Sequence, residues 1–172
     1  MKLIDRLSKN ELSDLISKCW MTHDGMWFYN SFLEFGIETA NKLNKSAIRS
    51  LATIEIKHIK KALGIKDVRI ETYEEFKGFF SSISDILVPD FMNVILSFPS
   101  ENVIHWEFND KRCFAYNGIK LLGVNDDYEC GPIYRIKCWL MALGINFEIS
   151  PEIEKCISPN DGKCSGDFKL LF

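Results

Sequence analysis

Five of the six cysteines in this 172-residue chain lie between Cys113 and Cys164. Thiolates are strong ligands for zinc and iron, and two presented across a turn can share one ion. Cys156 and Cys164 flank a Ser-Pro-Asn-Asp-Gly turn at 158–162, so on paired strands they would face each other. Cys130 precedes Gly131-Pro132 at the start of a helix, where a thiolate is electrostatically favoured. Cys113 follows a strand end. Cys113, Cys130, Cys156 and Cys164 are therefore the candidate metal ligands, with zinc or iron as the ion. The sequence has no Cys-x-x-Cys pair, and the competing reading is that each thiol is a small buried hydrophobe. Cys19 and Cys138, each beside a Trp in a helical stretch, fit that competing reading.

The second feature is a carboxylate in the wrong place. Glu55 falls within an apolar helical stripe of Ile48, Ala52, Ile59 and Ala62. An ionised carboxylate buried alone is very costly, so it needs a partner. His58 stands at i+3, and Arg49 and Arg135 are the alternatives. One Glu-x-x-His pair is half of a carboxylate-bridged di-metal set, and no second pair exists. Glu34 and Glu38 could add oxygens, and Asp24 and Trp27 flank the same side. A carboxylate serving a ligand pocket is the preferred reading. The candidate ligand-binding residues are Asp24, Trp27, Glu38, Glu55, His58 and Arg135.

Other chemistry is thin. No phosphate loop, dinucleotide fingerprint or Gly-x-Ser-x-Gly elbow occurs. Cys130 with Arg135 suggests a thiol nucleophile, but no histidine is near it in sequence.

These residues must be positioned by two kinds of structure. Periodicity and capping residues predict helices over 11–20, 22–43, 46–63 and 73–87. Strands are expected over 93–98 and 102–108, a helix from Gly131 to Leu143, then strands over 146–157 (bent near Pro151) and 167–172. The expectation is one α+β domain, 1–172: a helical part over 1–90 layered on a small antiparallel sheet over 91–172, with one inserted helix.

Composition bounds the rest. Charged residues are 26%, hydrophobic residues 47%, and the net charge is −3. No concentrated basic patch argues for nucleic acid. No run approaches ~18 apolar residues, so no membrane span is expected. Without a signal-peptide pattern at its start, the chain is expected to be cytoplasmic with reduced cysteines.

The stretch 154–168, with Cys156, a polar turn, Cys164 and a final strand, is similar to the ending of 4-vinyl-reductase-like small-molecule-binding domains. The stretch around Trp20, residues 22–28 and residues 36–38 resembles an uncharacterised family of small prokaryotic proteins. That family is related in turn to aminothiazoline-carboxylate hydrolase-like proteins. These resemblances imply an α+β ligand-binding domain, with zinc on cysteines matching Cys156 and Cys164. The expected function is a small-ligand-binding domain with a cysteine-held metal, its oligomeric state, monomer or homodimer, left open. The alternatives are a hydrolase or reductase using Glu55 or Cys130, and a structural or interaction domain with buried thiols.

Overall fold

Ser8 opens the first helix: its hydroxyl accepts the Glu11 amide at 3.2 Å, and the Glu11 carboxylate accepts the Ser8 amide at 2.8 Å. This reciprocal capping satisfies two amides that a helix start otherwise leaves orphaned. The helix, α1, spans Lys9–Ala62 and is broken at Gly36, whose φ of 79° and ψ of 172° are not helical. The computed structural model describes residues 3–66, 68–108, 113–157 and 163–172.

The three helices expected before residue 64 are thus two arms of one element. Neither sequence boundary survives. Thr22 does not cap a helix; its hydroxyl donates to the Lys18 carbonyl at 2.8 Å, a bond made inside a continuing helix. Residues 44–46 also stay helical. The real break is Gly36, in a backbone region that only glycine enters cheaply. Arm 1 runs from Lys9 to the break and arm 2 from the break to Ala62. They fold back toward each other, so Asp24 and Asn44 line one cavity.

The second helix, α2 (Tyr73–Leu87), starts with another capping box, Thr72 with Glu75. It buries Tyr73, Phe76, Phe79, Phe80 and Ile83, the i, i+3, i+4 spacing of one apolar face. After it come β1 (Val94–Ser97), β2 (Val103–Phe108), α3 (Phe114–Leu121), α4 (Gly131–Leu143), β3 (Asn146–Ser150) and β4 (Cys164–Leu171). The α+β expectation holds, with the described strands all after residue 90. Two helices rather than one separate β2 from β3; α3 has no counterpart among the expected elements. The strand expected over 146–157 stops at Ser150, because Pro151 has no amide to donate to a ladder.

The sheet has order β1-β2-β4-β3 and is antiparallel throughout. Its inner face carries Ile104, Trp106, Phe108, Phe168 and Leu170, all buried. Burying side chains of this size contributes about 1.5–3 kcal/mol each. The outer face alternates to polar residues, with His105 bonded to Asp167 at 2.7 Å across the β2–β4 register. Gly166 is forced by this packing, since a Cβ there would collide with the Trp106 ring. Aromatic contacts join the layers: Phe80 of α2 meets Trp139 of α4 at 6.3 Å, and Trp106 meets Phe168 at 5.0 Å. Among the described residues no helix is both long and apolar enough to cross a membrane.

Candidate functional site

Arm 2 lies against α4, and a buried polar network pins them. Glu55 is 8% exposed. The Arg135 guanidinium donates to both its oxygens, from Nε to Oε2 at 3.2 Å and from Nη2 to Oε1. The Trp139 indole donates to Oε2 at 2.7 Å. Arg135 and Trp139 are i and i+4 on α4, so both reach the same carboxylate from one helix face. The guanidinium also lies 5.1 Å from the ring centres of both Trp20 and Trp139. Fork pairing and ring stacking are what an arginine supplies and a lysine does not. Trp20 belongs to arm 1, so Arg135 links all three helical segments.

Further along arm 2, buried Asn41 donates to the Asp127 carbonyl at 2.8 Å and accepts the Glu129 amide at 3.1 Å. Those bonds lock arm 2 to the segment that leads into α4. Arm 1 is held differently. Phe28 meets Tyr128 edge-on at 5.4 Å, and Lys18 sits over the Phe91 ring at 5.5 Å.

Two cavities flank the middle of arm 1. One, of about 510 Å³, lies between arm 1 and α3; its apolar walls include Met21, Phe28, Phe91, Phe114, Ile119 and Tyr128. The other, of about 500 Å³, lies between the arms, with Trp20, Trp27, Leu43, Ile48 and Arg135 among its walls. Asp24, Phe28 and Asn44 line both. Asp24 is accessible to solvent, yet enough apolar protein surrounds its carboxyl that desolvation pushes its pKa up. The nearby Arg135 and His23 oppose that shift. Among the described residues it makes no hydrogen bond. The Trp27 indole N–H donates to His23 Nε2 at 3.2 Å.

The thiols gather at the other end of α4. Among the described residues no disulfide is formed. Segment 128–130 pairs with 154–156 through the Glu129–Lys155 bridge, with Cys130 N–H bonded to Glu154 and Cys156 N–H to Tyr128. Cys164 opens β4 opposite Phe108 of β2, and Cys113 precedes α3. The Cys156–Cys164 expectation is corrected here: Cys156 pairs with the 128–130 segment, not with β4. The turn at 158–162 lies outside the described residues. The four thiols still share a neighbourhood, because each of Cys113, Cys130 and Cys164 is disfavoured as a thiolate by other members of the group. Burial is the larger cause, raising Cys113 to about 11, Cys164 to about 12 and Cys130 well above the usual thiol range. That makes Cys130 a poor nucleophile despite its place at a helix start. Trp106 Nε1 is the one buried side-chain nitrogen or oxygen among the described residues that lacks a hydrogen bond. It is turned toward Cys164 and favours that thiolate without closing a bond. Among the described residues no group of three or more His, Cys, Asp or Glu is arranged to hold a metal ion.

Of the residues expected to bind a ligand, the structure brings Asp24, Trp27 and Arg135 to the cavities and sets Glu55 behind Arg135. His58 and Glu38 are exposed and do not join them. His58 is three residues from Glu55 but on the outer side of arm 2. Trp20, Phe28, Asn44 and Trp139 belong to the site and were not foreseen. The Arg135-Trp139 spacing was the available signal for Trp139. The others depend on the fold-back at Gly36.

The arrangement is that of an α+β domain with a largely apolar cavity between arm 1 and α3. The chain matches the model of DUF6125, a family of unknown function, over residues 5–168 and belongs to that family. No curated protein and no solved structure matches it, so the two finer resemblances stated from the sequence find no support there.

Proposed function

We propose that this domain binds a small, largely apolar ligand in the cavity between arm 1 and α3. The observation that carries the reading is the pairing of that space with Asp24, a carboxylate with no hydrogen bond on a wall it shares with the second cavity. At about 510 Å³ the space falls in the range of small-molecule sites, which are mostly apolar with a few placed polar groups. Titration with the neutral fluorescent dye Nile red tests it. Emission should shift to the blue and saturate at one dye per chain. Gly118 lines the cavity on α3 and has open space where a Cβ would be. Gly118→Phe should therefore fill the cavity and abolish the shift while keeping the fold. Equal dye binding by that variant would refute the assignment.

A second reading concerns the thiols. The unpartnered Trp106 N–H aimed at Cys164 favours it, since metal-bound thiolates are commonly supported by such donors. A zinc ion there would need Cys113, Cys130, Cys156 and Cys164 to turn toward a common point. Elemental analysis of the purified protein checks this: about one zinc per chain, lost in Cys164→Ser, supports it, and none after zinc loading and desalting removes it.

A further inference from the structure

Charge is the one property of the cavity that selects among apolar ligands. Four acidic or basic side chains line the two cavities beside the middle of arm 1. Two of them already have a partner of opposite sign. Lys18, at one end of the cavity against α3, lies 3.7 Å from Asp14, one turn earlier on arm 1. Arg135, on the wall of the other cavity, is neutralised by Glu55. His23 lines only the second cavity, with its Nε2 occupied by the Trp27 indole. Asp24 remains. It borders both cavities and makes no ion pair among the described residues.

Arg135 and His23, both on the side of the second cavity, are the charged groups felt by Asp24; the cavity against α3 is walled mainly by aromatic and aliphatic groups. Phe28 and Tyr29 follow Asp24 on arm 1, and Phe91, Phe114 and Tyr128 line the same cavity. Ring faces carry partial negative charge and attract an ammonium group. An apolar chain ending in a cation would place its body among these rings and its head at Asp24. A carboxylate-ended chain would bring like charge to Asp24, and an alcohol would leave the carboxylate without a counter-charge.

Resting on the ligand reading above, we infer that the site selects amphiphilic amines: a hydrocarbon or aromatic body with a protonated amino head paired to Asp24. This assigns Asp24 as the specificity-determining residue and the cavity against α3 as the chain's berth.

Octylamine, octan-1-ol and octanoate share a chain and differ only in the head. Each is titrated, below its aggregation threshold, against Nile red bound to the full-length protein at neutral pH. Octylamine should displace the dye at a concentration about tenfold lower than octan-1-ol, the factor expected of one charge-assisted contact in a partly desolvated site. Octanoate should be the weakest. With each compound's displacement referred to the variant's own dye affinity, Asp24→Asn should reduce the amine-to-alcohol ratio to below about threefold, since the charge-assisted contact is lost. Asp24→Glu should restore part of the preference. Equal displacement by amine and alcohol in the native protein overturns the inference and leaves the ligand reading standing. So does an amine preference that persists in Asp24→Asn. Failure of all three compounds to displace the dye overturns both.

Discussion

Arms 1 and 2 of α1 are joined at one glycine and differ in how they are held. Every buried residue of the element lies in arm 2: Ala40, Asn41, Ala52, Glu55, Ile56 and Ile59. Arm 1 leaves Ile16, Trp27, Leu33 and Phe35 each at least 59% exposed. Arm 2 is fixed by close packing and a satisfied polar network. Arm 1 is fixed by a few ring and cation–ring contacts, with a cavity on either side. Packing density stabilises an element, and its absence leaves room for a ligand and low-cost movement. The contrast teaches that one helix can serve as scaffold over half its length and as the wall of two cavities over the other half.

The largest effect should come from the junction that joins the arms to α4. Arg135→Ala strands the Glu55 carboxylate and removes the platform under Trp20. Stripping one member of a buried pair typically costs about 3–5 kcal/mol. Pairing Arg135→Met with Glu55→Leu should recover most of that in a urea unfolding curve, because the pair is then replaced by apolar groups. Loss under 1 kcal/mol in the single variant would mean that solvent reaches Glu55 and that the junction is not what holds the arms.

Truncations within each arm sharpen the contrast. Ile56→Ala should cost about 2–5 kcal/mol, the range for emptying a buried aliphatic site. Leu33→Ala in arm 1 should stay within about 0.5 kcal/mol, as exposed substitutions do. Amide exchange should follow the same division, fast over 12–34 and slow over 48–60. Equal protection of the two arms would break the comparison.

Gly36→Ala puts a Cβ into backbone that L residues avoid, and should cost about 1–3 kcal/mol. The substituted residue meets no neighbour, so the cost is conformational. The informative readout is dye binding: a site formed by the fold-back should weaken with it. Unchanged stability and binding would show that arm 1 does not depend on this break for its place.

Much of the fold was legible because it follows from local rules. The helices expected over 73–87 and 131–143 and the strands expected over 93–98 and 102–108 depend only on near neighbours, whereas the cap expected at Thr22 did not hold. The anomaly of Glu55 was visible as a charge in an apolar stripe, and Arg135 was among its possible partners. What sequence did not show were the long-range facts. Gly36 stands between two stretches of good helix formers and offers no local sign of a sharp break. Misplacing that break hid the convergence of Trp20 and Asn44, because residues on two separate helices have no fixed relation. The expected strand pairing across the 158–162 turn failed for a similar reason: a turn-like sequence says that the chain reverses, not which strand it then joins.

The smallest effect concerns Asp24 and distinguishes a functional carboxylate from a structural one. Desolvation raises its folded pKa above the ordinary aspartate value. The unfolded chain therefore releases this proton at lower pH than the folded chain does. In that window the unfolded state binds fewer protons, so stability falls as pH rises. The contribution is full below the ordinary aspartate pKa and is lost on passing through the raised folded value. Asp24→Asn cannot ionise and escapes that loss. Its urea midpoint should match the native protein near pH 3 and exceed it slightly at pH 7, the gap being small because solvent reaches the carboxylate. A saturating amine should close the gap at pH 7 by supplying the missing counter-charge to the native protein alone. An Asn variant that is less stable than the native chain at neutral pH would show instead that the ionised Asp24 is already paired within the fold, and the distinction between a structural arm 2 and a ligand-facing arm 1 would lose its main electrostatic support.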